Sequence, residues 1–143
     1  MINKTLESSE LISIGVEEFT FDITPCPKPR MTQSDKWKVG DKKRPSVAKY
    51  HDFRDQIKAK IKYYGNDLQF EEFEIGFYIP MPKSWSERKK QSMLGKPHQQ
   101  RPDLDNYLKA WKDSVFEEDS VVWKVYAYKR WAIGAGHIRV KSL

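Results

Sequence analysis

Asp103, Asp105, Lys109 and Asp119 are the residues of this chain whose types and spacing could do chemistry. Three of them stand in the run Arg101-Pro102-Asp103-Leu104-Asp105-Asn106-Tyr107-Leu108-Lys109, which continues through Ala110-Trp111-Lys112-Asp113. In extended backbone, residues two apart project to one face, so Asp103 and Asp105 are expected to converge on one cation while Leu104 turns into the core. A helix beginning near Asp105 would set Asp105, Lys109 and Asp113 at four-residue steps along one side. Asp119 is expected at the start of the next strand, near enough in sequence to return to the same place. Carboxylate oxygens suit hard cations such as magnesium, which bind through a few carboxylates plus substrate phosphate. A cation held there activates a water and stabilises charge on an attacked phosphorus. Lys109 would contact the scissile phosphate or orient the water. The same residues admit a plainer account, because Asp is a common helix cap and Asp–Lys at four-residue spacing is a common surface pair. Spacing alone leaves both accounts open.

The charge around this segment is unevenly spread. The net charge is +6, with 32% charged and 38% hydrophobic residues, which points to a polyanionic partner without saying which. Residues 1–27 carry Lys4 against Glu7, Glu10, Glu17, Glu18 and Asp22. Residues 28–62 hold twelve Lys or Arg against four Asp, and residues 82–101 hold six against Glu87. Carboxylates framed by positive segments are what a phosphodiesterase requires: the cations hold DNA, while the carboxylates would repel it unless a metal neutralised them. Lys28, Arg30, Lys36, Lys38, Lys42, Lys43 and Arg44 in the first segment, with Lys89, Lys90 and Arg101 in the second, are candidates for the DNA path. Their contacts would be mainly to phosphate, favouring affinity over sequence choice. A charge run is also what an ordinary solvated face looks like.

The elements that must position these groups follow from periodicity. Residues 1–17 read as a polar, acidic leader, and residues 18–143 as one domain. Phe19, Phe21 and Ile23 alternate with polar residues, as in a half-buried strand ended by Pro25, Pro27 and Pro29. Lys28 to Arg44 lacks period and reads as an exposed loop. Ser46 is expected to cap a helix through Tyr64, with Val47, Tyr50, Phe53, Ile57 and Ile61 on one stripe and Gly65-Asn66 as its stop. Phe70 to Ile79 reads as a strand and residues 83–101 as a mobile basic loop. Asp105 to Phe116 is a second helix, Val121 to Tyr128 a strand, and Gly134 with Gly136 a turn into a last strand, His137–Val140. The order β-α-β-α-β-β implies one α+β domain, α/β-like, with a mixed sheet flanked by helices.

Several classes are excluded. A single cysteine, Cys26, allows no internal disulfide and no cysteine zinc cluster, and suits a reducing compartment. No basic segment precedes an apolar run as in a secretory signal, and no stretch approaches the roughly 18 apolar residues of a membrane span. A cytoplasmic protein is expected. His51, His98 and His137 show no ligand spacing, although His98 beside the basic loop could touch phosphate. Cys26 reads as a small apolar filler. Trp37 and Trp85, in basic loops, would either stack on an unpaired base or pack. Trp111, Trp123 and Trp131 read as core or interface residues.

At the Asp103 segment the chain resembles the RusA family of Holliday junction resolvases, common in phages and prophages. The resemblance rests on Asp103-Leu104-Asp105-Asn106 leading into a helix, Lys109 four residues after the second Asp, and Glu118-Asp119-Ser120 opening a strand. It covers most of residues 18–143, including the Pro27-Lys28-Pro29-Arg30 loop, but only 101–122 is specific. The resemblance implies that Asp103, Asp105 and Asp119 bind magnesium or manganese, that Lys109 is the essential lysine, and that Asp113 is a further acid on the helix. It also implies a homodimer acting on a four-way DNA junction in a bacterial host. Two departures stand out. The connection from Asp113 to Asp119 is short and lacks an Asn-Gly type turn, and Val121 stands where the family often has Gln. Two rival readings are a non-catalytic basic DNA-binding module and a nuclease acting on flaps or plain duplex.

Overall fold

The computed structural model describes residues 18–30, 44–64 and 71–143. The acidic leader, Gly65-Asn66 and, in the basic loop, Lys36, Trp37, Lys38, Lys42 and Lys43 lie outside the described residues. Strand β1 spans Glu18–Phe21, helix α1 Pro45–Tyr64, β2 Glu72–Pro80, α2 Glu87–Met93, α3 Leu104–Val115, β3 Lys124–Ala132 and β4 His137–Ser142. The domain is thus α+β, in the expected order with one short helix added.

The four strands form one mixed sheet in the order β1-β4-β2-β3. β4 runs antiparallel to both β1 and β2, and β2 runs parallel to β3. A parallel pair cannot be closed by a tight turn, so the chain between β2 and β3 must cross over. That crossover carries α2 and α3, and with α3 the Asp103 motif.

Alternation decides the layering. Phe73, Ile75, Phe77 and Ile79 on β2 are buried, as are Phe19, Phe21, Ile138 and Val140 on the neighbouring strands. They meet Tyr50, Phe53 and Ile57 from α1, and Tyr107, Ala110, Trp111 and Val115 from α3. Trp111 is 1% exposed, with its ring edge-on to Phe21 at 5.0 Å; burying one such side chain is worth about 3 kcal/mol. The opposite parity, including Tyr78, Tyr126, Tyr128, His137 and Arg139, lies on the face away from α1 and α3. There Tyr78 stacks on His137 at 4.3 Å, and Arg139 pairs with Glu18 at 3.1 Å. The Tyr128 ring packs over Gly76, where a Cβ would lie 2.5 Å from it and the ring would have to move.

The observed bounds differ from the expected ones for local reasons. β1 ends at Phe21, and Ile23 sits in a bend. α1 begins at Pro45, ahead of Ser46, because the fixed φ of proline suits a first helical turn. Residues 83–101 are not a mobile loop. Ser86 caps α2 by accepting from Lys89 N at 3.2 Å, and residues 95–98 hydrogen-bond along the edge of β3. β3 starts at Lys124 rather than Val121 because Asp119–Val121 close a 3-10 turn, and it runs to Ala132 because pairing with β2 continues as far as Pro80. β4 likewise extends to Ser142.

Candidate active site

The site motif hangs from the edge strand. His98 N donates to Lys129 O and Trp131 N to Lys96 O, both at 3.0 Å. The Lys129 ammonium donates to Gln100 O at 2.7 Å and to Pro102 O at 2.8 Å, immediately before Asp103. Asp103 is the N-cap of α3, in extended conformation, and its carboxylate makes no capping hydrogen bond. The cap role that spacing alone allowed is therefore unfilled, and the oxygens are exposed. The helix begins at Leu104, one residue ahead of the expected start at Asp105, so only Asp103 keeps extended backbone. Asp105, exposed in the first turn, joins it at the helix N-terminus rather than along a strand face. Leu104 packs against the core, as expected from its alternation.

Along α3, Asp105, Lys109 and Lys112 follow at i, i+4 and i+7, which makes them one stripe. Tyr107, Ala110, Trp111, Ser114 and Val115 are the buried residues of the helix, which turns that stripe to solvent. Lys109 is exposed and has no ion pair among the described residues. Asp119 does not open the strand. It sits in the 3-10 turn, with Glu118 as the local cap accepting from Ser120 N at 3.4 Å. There the carboxylate of Asp119 lies 3.8 Å from Lys112 Nζ. Lys112 is seven residues beyond Asp105, about 10 Å along the helix axis at the usual rise.

Asp113 is turned away from that stripe. It pairs closely with Lys28 and meets the hydroxyl of Tyr50, which burial first and the Asp113 charge second push up to about 12. Lys28 N donates to Asn106 O at 3.1 Å, so the Pro27-Lys28-Pro29 segment lies along α3. Asp113 thus joins α1, α3 and this segment, and Lys28 is committed to it. Arg44 donates to Arg30 O at 2.6 Å, closing the base of the basic loop. Lys89 lies over the ring of Trp85 at 4.3 Å, and Lys90 reaches Glu87 at 3.6 Å. Arg101 is exposed beside the motif.

His98 is 5% exposed, packs on Trp131 at 4.3 Å, and leaves Nδ1 without a partner among the described residues. Burial first and the charge of Lys129 second lower its pKa. It is an interior residue and cannot touch a backbone phosphate. Trp85 packs on Trp131 at 4.8 Å, and Trp111 and Trp131 are core, whereas Trp123 is 69% exposed. Cys26 is a buried filler, its thiol pushed up by burial.

The donor set suits a hard cation in kind. Asp103 and Asp105 present two carboxylates that make no ion pair among the described residues, and magnesium commonly takes one or two with substrate phosphate. Among the described residues no three His, Cys, Asp or Glu side chains are assembled as a metal cluster. The reading of single residues missed Lys112, Tyr50 and Lys129. Lys129 left a signal: it shares strand parity with Val125, Ala127 and Trp131, where a charge is out of place.

The fold and motif define a small α+β domain that presents a carboxylate pair at a helix start beside basic segments. The family model of endodeoxyribonuclease RusA matches residues 22–141, and the chain belongs to the RusA family. Membership implies an endodeoxyribonuclease that resolves Holliday junctions. No curated protein matches the chain. No helix among the described residues is long and apolar enough to cross a membrane.

Proposed function

We propose that the chain is a metal-dependent, structure-selective endonuclease that hydrolyses phosphodiester bonds at four-way DNA junctions as a homodimer. The observation that carries this reading is the exposed pair Asp103 and Asp105 at the start of α3, without an ion pair among the described residues and without a side-chain cap hydrogen bond from Asp103, with Lys109 one turn further on. Asp103 and Asp105 would hold magnesium or manganese, with Asp119 as a third ligand. When bound, such an ion supplies an activated water and neutralises charge on the attacked phosphate. Lys109, exposed on the same stripe, binds the scissile phosphate and orients it. Arg30, Lys42, Lys43, Arg44, Lys89, Lys90 and Arg101 hold the flanking backbone through phosphate contacts. We read the chain as phage- or prophage-encoded and acting in the cytoplasm of a bacterial host, the setting of the family it resembles.

The test is incubation of the protein with synthetic four-way junctions and magnesium. Asp105→Asn is expected to abolish cutting while leaving junction binding within a few-fold of the parent. Retained cutting by that variant overturns the role of Asp105. Unchanged cutting in EDTA overturns the metal mechanism. Equal cutting of linear duplex and flaps would replace the resolvase reading with a less selective nuclease.

A further inference from the structure

We propose that Lys129 is a positioning residue that sets the orientation of Asp103 from the neighbouring strand. The inference rests on the reading of Asp103 as a site carboxylate.

Lys129 lies on β3, the edge strand of the sheet. Strand parity points it toward the helix-covered face, among Val125, Ala127 and Trp131, where a lysine would ordinarily bury its stem and send its ammonium back to water. Here the ammonium instead donates to two carbonyls of one turn, Gln100 O at 2.7 Å and Pro102 O at 2.8 Å. Pro102 is bonded to Asp103, and Asp103 makes no side-chain cap of its own. The direction in which its carboxylate leaves the chain is therefore inherited from how Pro102 is held.

The hold is part of a ladder. Gly95 N donates to Trp131 O, Trp131 N to Lys96 O and His98 N to Lys129 O, each at 3.0 Å. Arg130, the next residue, donates from Nη1 to Gly95 O at 2.8 Å. Main-chain bonds thus fix residues 95–98 to β3, and the side chain of Lys129 extends the attachment across Gln100 and Pro102 to the edge of the motif. Asp105 needs no such anchor, because it lies inside the first turn of α3. Small displacements of a reacting group cost rate steeply, on the order of a hundredfold for about 1 Å. A lysine that never touches DNA would still act on the rate, through Asp103.

The experiment compares Lys129→Met, which keeps the apolar stem, with Lys129→Arg, which keeps the donors, in the full-length chain. Steady-state cleavage of a four-way junction is read beside backbone amide exchange. For Lys129→Met, kcat is expected to fall about 10- to 100-fold with KM within about threefold of the parent. Exchange should rise at residues 100–105 while the amides of β2 keep their protection. Lys129→Arg should recover most of both. Parental kcat together with parental exchange in Lys129→Met overturns the proposal. So does a loss that appears as raised KM with unchanged exchange, since that marks a phosphate contact. Asp103→Asn runs in parallel: if it cuts like the parent, the reading of Asp103 falls, and exchange at 100–105 still decides whether Lys129 holds the turn.

Discussion

The carboxylate of Asp119 lies 3.8 Å from the ammonium of Lys112, a residue two turns along α3 from Asp105. Both partners are partly exposed, at 27% for Lys112 and 42% for Asp119. A surface pair of this kind contributes no more than about 1 kcal/mol. The pairing is weak enough for a divalent cation to displace, so its place in the proposed chemistry can be measured.

Lys112→Met is expected to release Asp119 at little cost in stability, under about 1 kcal/mol by denaturant titration. If Asp119 serves as a third ligand, the magnesium concentration that gives half-maximal cleavage should fall a few-fold. A magnesium titration of parent and variant checks this. An unchanged midpoint would remove Asp119 from the ligand set.

Asp113→Asn should behave as a folding variant. It breaks the pair with Lys28 and removes the charge beside the Tyr50 hydroxyl, contacts that join α1 and the 27–29 segment to α3. The pair is half-buried, so the expected loss is about 1 to 2 kcal/mol. Cleavage per folded molecule should stay close to parental. Loss of cutting with unaltered unfolding would instead place Asp113 in the chemistry.

Acid should weaken the fold through His98 and His137, whose pKa values burial lowers below the ordinary 6.5. Each is neutral when folded, and the unfolded chain takes up protons first. Their share of stability is whole above pH 6.5 and is lost as pH falls through the lowered folded values. Thermal unfolding measured between pH 7.5 and 5 should show this decline, and His98→Phe should flatten it. An unchanged pH slope in that variant would mean that His98 gains protons without cost.

Junction affinity should fall steeply with salt, because the proposed contacts are to phosphate. Arg101→Ala is expected to weaken binding to every junction sequence alike and to reduce the slope of log affinity against log salt by about 1. Binding titrations between 50 and 200 mM salt would read it, both concentrations being of the order at which such slopes are resolved. A sequence-dependent loss with an unchanged slope would argue for a base contact.

Much of the fold was written in local pattern. The alternation of Phe73, Ile75, Phe77 and Ile79 identifies a strand buried on one face, and the stripe Val47, Tyr50, Phe53, Ile57 identifies the helix laid over it. Asp103-Leu104-Asp105-Asn106 was legible as a helix start, because cap positions and first turns have residue preferences of their own. The segregation of charge was equally plain. These features depend on neighbours within a turn or two of chain.

The partners of the charged groups did not follow from that pattern. Lys28 meets Asp113 across 85 residues, and Lys129 holds Pro102 across 27. Asp119, expected beside Asp103, meets Lys112 because a one-turn 3-10 segment precedes β3. Which cation neutralises which carboxylate depends on the packing of α3 against the sheet edge and on the parity that turns Lys129 inward. Spacing along the chain carries no term for a contact between separate elements, so only the assembled sheet and helices could decide it.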